Sequence, residues 1–480
     1  LNGFIKYGKN FFDLANGIFA VSIFDKINNK LYLARDFIGV KPLYYIHDDK
    51  KLVFASEIKA LLKSNDIKKN LDKSLINEFL FYKYISGTQT LFKNIFQLEP
   101  GKVYSVNSNI KKIKIEKYSY YRFKETERKQ TLNETVEETE FLLNKSVALQ
   151  LQSDASLGIQ LSGGVDSTLI TEIANKNSKI KHLYCSTFKN YEKNEFKYAK
   201  IVSKKINVPL NKVELDKSFF FKNIDKSIYH LDEPLNHPHS LAILQISLKA
   251  KKKVSVMLAG EGADELFFGY ERYLKILRSK SNISMIKNGA FLRTKDDLKL
   301  FKIFEKKDFG DPHQNRLKIL DKIEVRNKIK KFQIFETKTH LQSLLLRSDK
   351  MMMANSIEAR VPFLDKNLFN YSINIEDKIK KSINQKKILK KILSKYDYKD
   401  SFINRKKIGY LVPFNEWITS EKKFTKELED EVLNELFDKK SLSMLTENIK
   451  KKNNVYSSAK FYWLLLNLKK FIKTFSVDIN

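Results

Sequence analysis

Cysteine is almost missing from this chain. One residue in 480, Cys185, leaves no partner for an intrachain disulfide and fits a reducing compartment. It lies in an apolar strand-like run, so it is expected to be inert packing rather than a nucleophile. No apolar run approaches the ~20 residues a membrane span requires. The opening LNGFIKYGKN has no basic segment ahead of an apolar core, so no secretory signal is read from it. Cytoplasm is the expected location. No internal repeat is visible, and no phosphate-binding loop of the GxxxxGKS or GxxxxGKT kind occurs anywhere.

What is present is a foldable composition, 42% hydrophobic and 12% aromatic, long enough for two cores rather than one. Lys and Arg number 89 against 56 Asp and Glu, a formal net charge of +33. The excess is mostly Lys, spread along the whole chain, and no basic stripe alternates with aromatics. It reads as solvated surface, and no nucleic-acid partner is expected from it.

Residues 1–118 read mostly as β, entered directly at Leu1. NGIFAVSIFD (16–25), KLYLARD (30–36) and KPLYYIHD (41–48) are short apolar runs separated by turn residues. SEIKALLKSN reads as a short helix. Residues 119–133 are polar and look like a linker, and ETVEETEFLLNKSVALQLQ then has helical spacing with acids at its start. From residue 154 the pattern alternates strand and helix through SLGIQL, KHLYCSTF, PLNKVEL and KVSVMLAG. That implies a parallel sheet covered on both faces. The strand ends at 161, 188 and 260 are expected to share one edge, where open α/β sheets bind ligands. Beyond residue 270 helix dominates.

Two stretches carry chemistry. In LSGGVDST (161–168), a strand delivers Ser162, Gly163 and Gly164 into a turn that opens a helix. Glycines let backbone N–H groups approach phosphate oxygens, and a helix start adds partial positive charge. Ser162 and Ser167 can donate to the same oxygens. Asp166 does not suit phosphate but suits a Mg²⁺ bridging phosphates. The bland alternative is a capped glycine turn. AGEGADELFFGY (259–270) fails as a dinucleotide fingerprint because Glu265 takes the third glycine position. It offers three acids at a strand end, so Asp264 is expected to share the metal with Asp166, leaving Glu261 as a base. The bland alternative is an acidic helix start. NSIEARVPFLDKNL and NRKKIGYLVPFNEW place cations beside prolines and aromatics, where a rigid irregular segment could aim a charge. HPH (237–239) has poor spacing for one metal, and a surface or core role is expected.

In that order, LSGGVDS, GEGADEL, SIEARVPFLD and RKKIGYLVPFNEW resemble the glutamine-dependent asparagine synthetases. NGIFAVSIFD, ARDFIGVKPLYY, ASEIKAL and LEPGKVY resemble the later part of that family's glutaminase domain. The resemblance implies a partial N-terminal-nucleophile glutaminase domain of αββα type at residues 1–123. A parallel-sheet α/β ATP-pyrophosphatase domain, adenine nucleotide α-hydrolase-like, with a helical C-terminal part would follow at 132–480. It implies ATP and Mg²⁺ as cofactors and aspartate, with ammonia or glutamine, as substrates. Aspartate would be adenylated and ammonia would displace AMP. Residues 162–167 would hold pyrophosphate, Asp166 and Asp264 the metal, and Gln160, Ser186, Ala259 and Gly260 the nucleotide. Glu261 would take a proton from ammonia and Lys407 would meet charge on the α-phosphate, while Lys406 is expected to point to solvent. Two departures stand out. Ala259 replaces a serine, and Phe268 replaces a glycine. The family's catalytic amino-terminal cysteine is expected ahead of residue 1, so the chain as given would use ammonia. The resemblance leaves room for a homodimer and implies neither membrane nor nucleic acid. Two other readings stay open: amidation of another carboxylate, such as a sugar acid of a surface polysaccharide, and a tRNA-modifying enzyme with a related pyrophosphate loop.

Overall fold

Two antiparallel sheets form the amino-terminal part. One has the order Ala20–Asp25, Lys30–Arg35, Lys102–Asn107, Glu116–Ser119; the other has Leu52–Ala55, Tyr44–His47, Phe96–Gln97. They face each other across Leu33, Leu43, Tyr45, Leu98 and Tyr104, all buried, and the alternation in each strand puts these side chains on one inner face. The computed structural model describes every residue except 108–111, 127, 179, 190, 192–194, 277, 381–385, 407–411, 421–425 and 480.

The first residues correct the sequence reading. Asn2–Tyr7 and Phe11–Leu14 are short helices, not strand, with Phe4 and Phe12 buried. The helix Ile76–Tyr82 is buried along its whole length and so shows no amphipathic stripe to read. The stretch read as a linker is fastened down. Tyr120 is buried and donates to Arg35 O, Thr126 N donates to Asn374, and Gln130 N donates to Glu376. The helix Leu132–Gln150 then starts with a capping box between Thr131 and Glu134, a device typically worth about 1 kcal/mol.

The second part is a five-stranded, wholly parallel sheet. Its order is Leu210–Leu215, His182–Phe188, Leu157–Gln160, Val256–Leu258, Glu358–Arg360. Alternate residues feed different cores: Leu183 and Cys185 pack on one face, Tyr184 on the other. Both faces are covered by helix, so the inner strands His182–Phe188 and Val256–Leu258 are buried almost throughout, while the edge strands Leu210–Leu215 and Glu358–Arg360 carry charged residues. Numbered along the chain, the order is 3-2-1-4-5. The direction of winding reverses between Leu157–Gln160 and Val256–Leu258, and the crevice at such a reversal is where open α/β sheets take ligands. The fifth strand, Glu358–Arg360, lies where the sequence suggests an irregular segment aiming a cation. Arg360 instead pairs with Glu358 and donates to Gln150 O and Gln152 O, so its charge serves the sheet edge and not a ligand.

ARDFIGVKPLYY and ASEIKAL join the two parts. Arg35 is buried and donates to Gly39 O, Lys41 O and Leu98 O, while Asp36 accepts from the N–H groups of Gly39, Val40 and Lys41. The loop so fixed extends Lys41 to Asp349, 2.6 Å away on the helix His340–Met353. Asp232, just past the helix Ile224–Leu231, accepts from Ile58 N and Lys59 N and pairs with Lys350 at 2.7 Å. Asp232 and Lys350 are both buried, and breaking such a pair typically costs about 3–5 kcal/mol. These motifs hold the two domains together.

Candidate active site

The strand Leu157–Gln160 delivers the chain into the turn at 161–164, and the helix Val165–Asn177 starts from it. Gly163 has φ +76°, and a Cβ there would fall 2.4 Å from Ala199 N and 2.6 Å from Tyr198 C. Only glycine fits. Gly163→Ala is expected to lower the thermal midpoint by several degrees, since the left-handed conformation costs about 1–2 kcal/mol and the clash is with backbone. Gly164, at φ −70° with only Ser162 Oγ near its missing Cβ, should tolerate Ala far better; equal losses in the two melts would contradict this account.

Hydroxyls line the turn. Ser162 Oγ lies 3.0 Å from Ser167 Oγ, Gly164 N donates to Ser162 Oγ, and Ser162 N donates to Ser167 Oγ. The second loop packs directly on this one: a Cβ on Gly260 would sit 3.3 Å from Asp166 Cβ and 3.5 Å from Ser167 N. Gly262, at φ +93°, leaves room for Leu364. The two glycine-bearing loops therefore meet at the winding reversal, as the strand order requires.

A cavity of about 1030 Å³ opens over them. Gln160, Ser162, Gly164, Asp166, Ser167, Gly260, Glu261 and Asp264 line it, while Gly163, Ser186 and Ala259 do not. Gly163 lies behind the wall, its carbonyl accepting from Arg405. Gln160 Oε1 and Ser186 Oγ are buried and have no hydrogen-bond partner among the described residues, which suits a polar ligand at this edge. Lys407 lies outside the described residues. Lys406 is exposed, in line with the expectation that it points to solvent, and it also stands at the lining of the cavity.

The two aspartates converge on a cation that sequence reading missed. Lys386 Nζ is 2.5 Å from Asp166 Oδ2 and 2.7 Å from Asp264 Oδ1. Burial lowers the Lys386 pKa, but the two carboxylates outweigh it and hold the pKa above the ordinary lysine value. Among the described residues no group of three or more His, Cys, Asp or Glu could hold a metal. Two carboxylates meeting at one point still fit a hard cation that takes its other ligands from phosphate and water. Lys386 sits in QKKILKK, and nothing in a chain this rich in Lys distinguishes it.

Glu261 lines the cavity beside Arg347 and Ser348. Burial raises its pKa above the usual carboxylate range, with Arg347 opposing. Glu265, the third acid, is committed elsewhere: it accepts from Tyr270 Oη at 2.9 Å and lies 3.4 Å from His340 Nδ1. His237 and His239 line the cavity too, which corrects their assignment to surface or core. Cys185 is buried, and burial together with Glu195 pushes its thiol up to about 12.

Comparison with known proteins decides the family. The family model described as asparagine synthase matches residues 138–473, and that of a glutamine amidotransferase domain matches residues 1–121. The chain belongs to the asparagine synthase family. It is 29% identical over 441 residues to asparagine synthetase [glutamine-hydrolyzing] 1 of Bacillus subtilis, covering 84% of this chain and 69% of that protein. With asparagine synthetase [glutamine-hydrolyzing] 3 of the same organism it shares 27% over 485 residues, covering 93% and 76%. A putative asparagine synthetase of Methanocaldococcus jannaschii is 30% identical over 274 residues, 56% of this chain and 53% of that protein. Among the described residues no helix is long and apolar enough to cross a membrane.

Within this asparagine synthase fold, the departure at Phe268 has a conformational meaning. Phe268 has φ +58°, a region where a bulky side chain is strained and glycine is not. The ring is buried 4.7 Å from that of Tyr273, and this packing offsets the strain. Ala259 is buried, and its N–H donates to Arg360 O. The methyl side chain lies behind the cavity wall.

Proposed function

We propose that this cavity amidates aspartate to asparagine at the expense of ATP, through a β-aspartyl-AMP intermediate, with release of AMP and pyrophosphate. The observation that carries the reading is that Asp166 and Asp264, which meet on Lys386, line one cavity with Glu261 beside the Gly163 turn at the winding reversal. Asp166 and Asp264 would hold Mg²⁺, which when bound supplies positive charge between phosphate groups. The N–H of Gly164, the hydroxyls of Ser162 and Ser167 and the start of the helix Val165–Asn177 bind and orient the pyrophosphate portion. Gln160 and the backbone at Gly260, both on the cavity wall, would position the nucleoside, while Ser186 and Ala259, expected beside them, stand outside that lining. Lys407 meets the charge that develops at the α-phosphate. Glu261, kept basic by burial, takes the proton that ammonia loses as it forms the C–N bond.

The test is direct. With ATP, Mg²⁺, aspartate and ammonium, the polypeptide should form asparagine, AMP and pyrophosphate in equal amounts; ADP in place of AMP would overturn the reading. Glutamine should not replace ammonium for these 480 residues, because their one thiol is buried and held protonated by its surroundings. Cys185→Ser should leave the ammonia reaction within about threefold. A large loss would assign that thiol a role that its burial denies.

A further inference from the structure

Asp264 sits on the four-residue helix Ala263–Leu266, a length too short to stand on its own hydrogen bonds. After it the chain turns at Phe268, φ +58°, and Gly269 N donates back to Asp264 O at 2.8 Å. That is the closing bond of a left-handed helix end, where glycine is the usual residue. Gly269 packs on the carboxylate itself: a Cβ there would run into Asp264 Oδ1 and Lys386 Cε. The turn therefore sets where the Asp264 carboxylate lies.

The last two carbonyls of this helix are taken by one side chain from behind the cavity wall. Gln333, on the helix Lys328–Lys338 and fully buried, donates through Nε2 to Glu265 O at 3.2 Å and Leu266 O at 3.1 Å. Its Oε1 accepts from Lys380 Nζ at 2.8 Å, and the same ammonium donates to Ile373 O at 2.6 Å. Lys380 is 8% exposed and forms no ion pair among the described residues, and its Nζ lies 5.9 Å from the centre of the Phe268 ring. Burial pulls its pKa down to about 7, against Asp377 and with Lys330 adding to the fall. A lysine buried without an acid is destabilising unless its donors are used. Here they orient an amide. An ammonium only donates, so Lys380 fixes Oε1 as the end of Gln333 that faces it and turns the NH₂ group towards the helix carbonyls.

We propose that Gln333 and Lys380 form a latch that positions Asp264: the lysine orients the amide, the amide caps the helix Ala263–Leu266, and the turn at Phe268 and Gly269 then places the carboxylate. The latch rests on the reading of Asp264 as a metal-holding group and adds to it two positioning residues, neither of which lines the cavity. It also gives the ring of Phe268 a task, to cover the lysine that orients the amide.

Hydrogen exchange of the unliganded protein and Mn²⁺ binding with α,β-methylene-ATP, read by electron paramagnetic resonance, test the latch without turnover. Gln333→Glu keeps an acceptor for Lys380 but has no N–H for the two carbonyls; Gln333→Met loses both contacts, and Lys380→Met loses the orienting donor. In each variant residues 264–269 should exchange about tenfold faster or more, while the strand His182–Phe188 keeps its protection. Each should also bind Mn²⁺ about tenfold more weakly, the usual loss when a group that orients a metal ligand is removed. In turnover, saturating Mg²⁺ should return kcat to within about threefold of wild type. Gln333→Glu gains a buried ion pair with Lys380, so it should fold even if Gln333→Met does not. Unchanged exchange at 264–269 in folded Gln333→Glu would overturn the latch, as would faster exchange with unchanged Mn²⁺ affinity. A loss of kcat that Mg²⁺ does not recover would mark a merely structural role and overturn it too. Faster exchange and weaker Mn²⁺ binding in the variants, with no amide product from wild type, would overturn only the amidation reading.

Discussion

Asp166→Asn should lower pyrophosphate release by at least about 10²–10³, the usual loss when one preorganised electrostatic group at a phosphoryl site is removed. The amide keeps the shape of the loop, so the hydroxyls of Ser162 and Ser167 and the Gly163 turn stay in place. What is lost is one of the two charges that meet on Lys386. That pairing adds a consequence for stability. Asp166 is not a free loop acid, and its neutralisation leaves a buried lysine held by Asp264 alone, so the melting temperature should fall modestly. Adding Lys386→Met to Asp166→Asn should recover that stability and leave activity absent. If Asp166→Asn turned over normally, the residue would be no more than a charge at a helix start. If the double variant regained activity, the loss would have come from a misfolded site and not from a missing charge.

Glu261→Gln should separate the two halves of the reaction. A glutamine cannot accept the proton from ammonia, so asparagine formation should drop by about 10²–10⁴, the range typical of a positioned general base. Pyrophosphate release should persist in part, because adenylation of the carboxylate does not call on Glu261. The pH dependence has a definite sign. The base must be ionised, and burial raises its pKa above the usual glutamate value. Amide formation by wild type should therefore fail on acidification at a higher pH than an exposed carboxylate would impose, and pyrophosphate release in Glu261→Gln should lack that limb. Equal loss of pyrophosphate and amide in the variant would contradict the division of roles.

The parts of the site that sequence showed were those punctuated by residues with few conformational alternatives. Gly163 and Gly260 mark places where a Cβ has no room or backbones nearly touch, and each follows a short apolar strand, so loop, strand and edge could be placed together. Other features had no such mark. Glu358–Arg360 is a three-residue strand, too short for any period, and its arginine looked like a ligand until the sheet claimed it. Asn2–Tyr7 and Phe11–Leu14 are short helices with aromatic residues that suit either state. Lys386 and Lys380 are buried far along the chain from the glycine-bearing loops, and a chain with 89 Lys and Arg hides two buried lysines among many solvated ones. Arg347, Asp349 and Lys350 did carry a signal: three charges set between the apolar runs LLL and MMM of one helix must be answered inside the protein once those runs are buried.

The central claim is that this site joins a substrate carboxylate oxygen to the α-phosphorus of ATP. Attack forms the C–O–P bond and releases pyrophosphate; ammonia then adds at carbon, and the C–O bond breaks with the oxygen left on phosphorus. Aspartate labelled with ¹⁸O in its side-chain carboxylate tests this in one experiment with ATP, Mg²⁺ and ammonium, read by mass spectrometry of the nucleotide. The account predicts one ¹⁸O in every AMP formed with asparagine, and none in pyrophosphate. Unlabelled AMP, or label appearing in inorganic phosphate, would contradict it.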